Sequence, residues 1–595
     1  MSIVLGGLNS GARTISGLSS GLDSEAIIKA AVSAKSKPVN DLVIEQSSNN
    51  AKIAALKSLK GILSSLGELS NGLRNPLGFN QQDKNAFLYR NPVVTGNPTA
   101  FDTASDMIRV TANPGAQIAN YTIEITNLAQ KEIETIAGFS SQTADLTDGG
   151  TPEVVAGTFQ INGENITIAS GATLNDIRVA INAKSSDTGV TASIITITPE
   201  SANGADDGVY QLQLVSNETG AANSISFTNF TTVFPGSGGV TVTQDQAALD
   251  ASIEFNGTTI TRSSNTIDDI ITGVTFELLN AEAGTELTVD ITQDTSTASS
   301  QIQNFIANIN QFLIFSSNQQ ARDPGTGEPL PTAFLFDSPL LKTINSSVQT
   351  ILKSSISTIS GAYNDITDLG YSQELFEGEQ IDGNPNTPST SLLTEDGSLG
   401  TKLINNFDDI KQLFELQFNA TGANDILALA STTRSISLTN FTVTVDTSQA
   451  EGQRVLITPS VGSAFYAEFD PYDDNDLSAG GTIIGVDGTA LAGARFVYTG
   501  DGTDTISATI SEGLGQKFYN LVQDQVSSLG SIDDQILLLQ ERNDDIDTEV
   551  ADLQEEINDF ELTLRDRYAQ LEAAIAEANG VLSFLTAFQA AQNKG

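Results

Sequence analysis

The sequence predicts an α+β, multidomain chain in which terminal helices form a coiled-coil stalk or leg and several antiparallel β-rich head domains are inserted between them. Three observations predict it. Apolar residues recur at helical spacing near both ends, the middle is written in short Thr, Val and Ile runs of period two, and the scarce positive charge gathers on the first helical stretch while the last is acidic.

In chain order, residues 23 to 74 read as two helices, with Asp23 or Ser24 as the cap, Pro38 as the interruption and Gly72 and Pro76 as the end. The second piece keeps Ile53, Leu56, Leu59, Leu63, Leu66 and Leu69 on one stripe, and Lys52, Lys57 and Lys60 meet no acid between Gln46 and Leu66. Strand texture begins near residue 100, as in YTIEI at 121 to 125, and TLNDIRVAINAK at 173 to 184 interrupts it as a short helix capped by Thr173. Helical spacing returns at 299 to 318, a Gly, Asn and Pro-rich stretch at 378 to 390 reads as a loop, and FTVTVDT at 441 to 447 marks a second β region. The expected domains are an N-terminal helical segment (1–75), a β-rich head (76–130 with 245–298), a second inserted β-rich head (131–244), a mainly helical leg domain (299–415), an extra β-rich insertion (416–511) and a C-terminal coiled coil (512–595).

Within that last segment Ile546, Val550, Leu553, Ile557, Phe560, Leu564 and Leu571 alternate steps of four and three, and Leu585 extends the stripe towards the end. This is the seam of a helix that buries one face against another helix. No second helix of that kind is evident just upstream, so the expected partner is the N-terminal helix, running antiparallel. Setting Leu73 near Ile532 brings Lys60, Lys57 and Lys52 close to Asp545, Asp547, Glu549, Asp552 and Glu555. Those charges are the expected register contacts. Taken from residue 532, a helix of about 50 residues is roughly 70 Å long.

Composition excludes most enzyme chemistry. The 595 residues contain no His, Cys or Trp, which removes the commonest general base, the thiolate nucleophile and the ligands of most zinc, haem and iron–sulfur sites. No phosphate loop, nucleophile elbow or paired-acid motif appears, so neither a catalytic residue nor a cofactor is expected. Acids outnumber bases by 73 to 28; nucleic acid is repelled. No apolar run approaches the roughly 18 residues that span a bilayer, so no membrane insertion is expected. MSIVLGGLNSGARTISGL at the start lacks the basic residues and cleavage pattern of a signal peptide.

Several stretches resemble one family, the flagellar filament cap protein or hook-associated protein 2. ISGLSSGLDSEAIIKAAV at 15 to 32 and KPVNDLVIEQSSNNAKIAALKSLKGILSSL at 37 to 66 resemble its N-terminal opening and first coil; YTIEITNLAQ at 121 to 130 and AALDASIEFNGTTITRSSNTIDDIITGVTFEL at 247 to 278 resemble its head-domain strands. The resemblance implies a homo-oligomer, a pentamer, at the extracellular tip of the flagellum. It further implies type III export without a cleaved signal, and flagellin, hook–filament junction proteins and an export chaperone as partners. An adhesin whose β domains bind glycans is the alternative.

One metal candidate remains. Asp473, Asp474 and Asp476, with Asp470, offer enough oxygen for calcium, but the loop lacks the Gly and closing Glu of an EF-hand, and a solvated surface loop is the plainer reading. Tyr466 and Phe469 beside it are read as core.

Overall fold

A computed structural model describes residues 23–592 apart from 77–83, 150–152, 199–208, 236–239, 357–360, 383–386, 422–425, 433–435, 437, 474–475 and 528–529. The N-terminal stretch up to residue 22 and Asp474 therefore lie outside the described residues. The chain divides into two compact units, Gly78–Ser300 and the combination of Met1–Leu77 with Gln301–Gly595.

Helix α1 (Ser24–Lys35) starts where the Asp23 carboxylate accepts the N–H of Ala26, satisfying one orphan donor of the first turn. Helix α2 (Lys37–Asn71) follows after a single residue, with Pro38 in its first turn, where a missing N–H costs nothing.

The unit Gly78–Ser300 contains β1 (Arg90–Gly96), β2 (Ile108–Ala112), β3 (Ala119–Asn127), β4 (Ile133–Phe139), β5 (Gly157–Ile161), β6 (Glu164–Ile168), α3 (Leu174–Asn182), α4 (Ser185–Thr188), β7 (Val190–Thr198), β8 (Val209–Ser216), β9 (Phe227–Thr228), α5 (Phe230–Val233), β10 (Thr241–Gln246), β11 (Ala251–Phe255), β12 (Thr258–Arg262), β13 (Thr266–Ile271), β14 (Val274–Leu278) and β15 (Glu286–Gln293). Its first and last strands pair antiparallel, Val93 opposite Asp290, so the chain enters and leaves this sheet side by side. That is how a β domain interrupts a helical segment without separating its ends. The sheets β1-β15-β3-β11-β12 and β13-β14-β2 enclose one core around Ile123, Phe255, Phe276 and Val289. A second core, around Ile136, Phe159, Ile177 and Leu212, lies among β10-β4-β8-β7, β6-β5-β9 and α3. Thr173 caps α3, as the sequence predicts, and Asp176 returns the bond to close a reciprocal capping box. Asn162-Gly163 and Asn256-Gly257 take left-handed φ values in the two-residue turns β5–β6 and β11–β12.

In the other unit the chain continues through α6 (Thr295–Gln319), α7 (Pro339–Lys353), β16 (Tyr371–Phe376), α8 (Gly378–Asp382), β17 (Thr390–Glu395), α9 (Leu399–Asn405) and α10 (Phe407–Phe414). It then builds β18 (Leu416–Thr421), β19 (Leu427–Thr432), β20 (Asn440–Asp446), β21 (Val455–Pro459), β22 (Phe465–Pro471), β23 (Gly481–Ile484), β24 (Ala494–Tyr498) and β25 (Thr503–Glu512) before α11 (Leu514–Val526) and α12 (Ser531–Gln592). The eight strands form one antiparallel sheet, β18-β25-β20-β21-β22-β23-β24-β19, over a core of Phe441, Val443, Phe496 and Tyr498. Entry and exit are again adjacent, with Leu416 opposite Glu512.

Three readings of the sequence are corrected here. Helix α11 does lie just upstream of the long helix, set off by the turn that ends at Gly530, where a Cβ would come within 2.4 Å of the Gln525 carbonyl oxygen. Tyr466 is not core: alternation along β22 turns it outward at 46% exposure, while Phe469 is buried. Finally, one helical stretch is long and apolar enough to cross a membrane by length and composition alone, because Ala, Gly and Ser between the larger residues keep its charge low.

Candidate functional site

The site assembled by the two ends of the chain is the bundle of α2 with α11 and α12. The apolar stripe of α2 is buried as its spacing requires, including Ile53, Leu56, Leu63 and Leu66. The C-terminal half of α2 lies against α11. A Cβ on Gly67 would sit 2.8 Å from Val522, so only glycine permits this approach of the two helices. Leu514, Phe518 and Val522 are buried on the facing side of α11, and Phe518 meets Phe305 of α6 edge-to-face at 5.2 Å between centroids. The end of α2 is fixed by Arg74. Its guanidinium stacks on Tyr519 at 3.8 Å and donates to Gln516 at 3.1 Å, and burial lowers its pKa.

From Lys60 towards its N-terminus α2 pairs with α12, antiparallel, through polar contacts. Lys60 Nζ meets both carboxylate oxygens of Asp533 at 2.7 Å. Asn49 donates to Asn543 at 3.0 Å, and Asn543 donates to Asn50 at 3.0 Å. Gln46 donates to Asp547 at 2.7 Å, and Arg542 grips Glu45 with two bonds of 2.8 and 3.2 Å. Further along, Lys35 meets Glu556 at 3.5 Å, and Arg565 holds Glu25 of α1 with two bonds of 2.9 Å while also bonding Glu561. Arg565 and Arg542 hold the Glu25 and Glu45 carboxyls below their ordinary pKa, chiefly by hydrogen bonding.

The orientation is therefore antiparallel, but the register expected from the lysines is corrected: Lys60 meets Asp533, twelve positions before Asp545. Among the described residues Lys52 and Lys57 make no ion pair. Lys52 instead lines a groove of about 340 Å³ with Leu56, Phe334 and Leu538. The hydrogen bond with Glu45 raises the Arg542 pKa, with Glu549 and Asp545 of its own helix adding to the shift, and Asp552 is exposed. The shift has a physical cause. Helix α11 occupies the end of α2, and Leu73 lies beside Gly515 instead of Ile532. The contacts that sequence reasoning missed are Asn49 with Asn543 and the arginines Arg542 and Arg565. The signal available was that these two arginines and Arg567 are the only bases in residues 531–592.

Along α12 the predicted seam changes character. Ile546 and Ile557 are buried, Val550, Leu553, Phe560 and Leu564 are half-buried, and Leu571 and Leu585 are exposed at 43% and 51%. Among the described residues the seam is covered only in its first half.

The metal candidate gains nothing: among the described residues no group of three acids could hold an ion, and Asp476 caps a turn by accepting the N–H and hydroxyl of Ser478.

Residues 20–132 match the model of the flagellar hook-associated protein 2 N-terminus and residues 248–580 that of its C-terminus. The chain belongs to the flagellar hook-associated protein 2 family. Residues 158–218 match the flagellin hook IN motif, over β5 to β8, which sequence reading did not single out. The chain is 27% identical over 320 residues to the A-type flagellar hook-associated protein 2 of Pseudomonas aeruginosa, covering 50% of this chain and 62% of that protein. It is 29% identical over 383 residues to the Escherichia coli K12 flagellar hook-associated protein 2, covering 61% of this chain and 74% of that one. The chain thus spans under two thirds of the length of the Pseudomonas relative. Among solved structures, the D1-D2-D3 domains of the flagellar cap protein FliD from Escherichia coli align with 60% of this chain and 89% of that chain, at 22% identity and TM-score 0.41.

Proposed function

We propose that this hook-associated protein 2 family member caps the growing tip of the flagellar filament, where it promotes flagellin polymerisation and prevents loss of exported monomers. The observation that carries the reading is the match of both family models to the segments that supply α2, α11 and α12, the helices that close on one another. Work of this kind needs no covalent chemistry; it needs confinement of the incoming subunit and contacts weak enough to be released. The partners are further copies of the chain in a pentameric ring, flagellin, hook–filament junction proteins and an export chaperone. The route to the cell exterior is type III export. The glycan-binding alternative has only the exposed Tyr466 and Tyr472 behind it, and neither family match supports it.

The test is deletion of the gene in its source cell, comparing assembled filament with flagellin in the medium. Short or absent filaments with soluble flagellin monomer support the capping role. Filaments of normal length and unchanged monomer contradict it.

A further inference from the structure

The two-stranded sheet β16–β17 has a free edge whose fate is written in its hydrogen bonds. Gln373 lies opposite Leu393 and Leu375 opposite Ser391. Leu393 gives its N–H to Asn310 Oδ1 at 2.8 Å and receives the Asn310 amide on its carbonyl at 2.9 Å. Its backbone groups therefore point away from β16, towards α6, where the Asn310 side chain acts as a one-residue substitute for a third strand. Backbone direction repeats every second residue, so the N–H and C=O of Ser391 point the same way, beyond the reach of Asn310.

Into that direction opens a groove of about 470 Å³, walled by α6 and α7 and floored by residues 388–391. Its polar side chains are mostly hydroxyls and amides, including Ser316, Gln320, Asn345 and Gln349, set beside Leu313, Ala321 and Pro388, and no carboxylate lines it in a chain whose net charge is −45. The one charged group is Arg322, held over Phe336 at 4.5 Å and bonded through Nη1 to the Gly327 carbonyl, which leaves its other N–H groups for a ligand. A strand edge with unmatched backbone donors and acceptors, flanked by amides and one cation, has the complementarity of an extended peptide rather than of an apolar helix.

We propose that this groove receives an extended segment of a partner polypeptide, which adds a strand to the free edge of β17 at Ser391 and places a carboxylate against Arg322. Resting on the capping reading, the segment belongs to an incoming flagellin subunit. Addition of a strand at an edge supplies affinity through backbone bonds that any sequence can make, and the small, polar walls select short side chains. A contact of this kind forms and breaks without a buried apolar anchor, as a transient hold requires.

The experiment is hydrogen exchange on the full chain with and without purified flagellin monomer from the same cell. The expected result is slowed exchange of the amide at Ser391. Ser391→Pro removes only an N–H that points away from β16, so the hairpin ladder survives, and it weakens flagellin binding roughly three- to tenfold. Arg322→Gln, which leaves the strand untouched, weakens it about threefold and more at low salt than at high. Protection of other segments with residues 388–391 unchanged overturns the strand addition while sparing the capping reading. No protection anywhere overturns both. Protection that appears with rising concentration of the chain alone assigns the groove to a second copy and overturns the flagellin assignment.

Discussion

Helix α2 makes two kinds of contact along its length, and they do different work. Towards Asn71 it meets α11 at close range, with Gly67 against Val522 and Phe518 buried against Phe305. Towards Lys37 it meets α12 across a seam with a buried asparagine pair and charged flanks. The first arrangement gives strength, because buried apolar contact contributes several kcal/mol per large side chain. The second gives register, because asparagines in a seam match only one another, and exposed ion pairs contribute little. A leg built this way is anchored at one end and indexed along the other.

Phe518→Ala breaks the anchored end and has the largest expected effect, a loss of about 3–5 kcal/mol in unfolding by denaturant. Gly67→Val pushes a branched side chain into Val522 and costs about 1–3 kcal/mol; Val522→Ala in the same chain recovers part of it. In the indexed half, Asn543→Leu leaves the buried Asn49 amide without its partner and costs about 1–3 kcal/mol. The double variant with Asn49→Leu regains that stability but loosens register, so engineered cysteine pairs one heptad out of register begin to crosslink. If the double variant stays uniquely registered, the asparagines do not index the seam. Lys60→Glu costs less than about 1 kcal/mol, and the cost fades at high salt. Reversing Lys52 and Lys57 as well adds less than Lys60→Glu does, since neither makes an ion pair among the described residues and Lys52 acts on Glu45 only at a distance.

The smallest effect is that of pH. Glu25 and Glu45 have folded pKa values lowered from 4.5 by their arginine partners. Their contribution is present above pH 4.5 and is lost as pH falls through the lowered values. Amide exchange in α1 and the first turns of α2 is therefore expected to quicken in acid before that of α11, even though protonation relieves the repulsion of a highly acidic chain.

The contrast also explains how much was legible in the sequence. Helix α2, the long helix and the cap at Thr173 follow from periodicity and cap chemistry, which act within a few residues. The alternating strands were legible for the same reason. Register was not, because it depends on α11, a helix of 13 residues hidden between a strand and the turn at Gly530. Once α11 takes the end of α2, every pairing with α12 slides. The charge argument also pointed at the wrong cations: lysines on α2 were conspicuous for lacking nearby acids, whereas Arg542 and Arg565, embedded among acids, make the bidentate bonds across helices. The groove beside β17 could not be read at all, since it depends on Asn310 meeting a strand more than 80 residues away.

The half of α12 left exposed among the described residues is the surface proposed to serve assembly. Sedimentation velocity on a chain lacking residues 560–595 tests it most directly, with circular dichroism to follow the β domains. Loss of oligomers with the β domains still folded is the predicted result. Oligomers of unchanged size in the shortened chain would contradict the role assigned to the exposed seam.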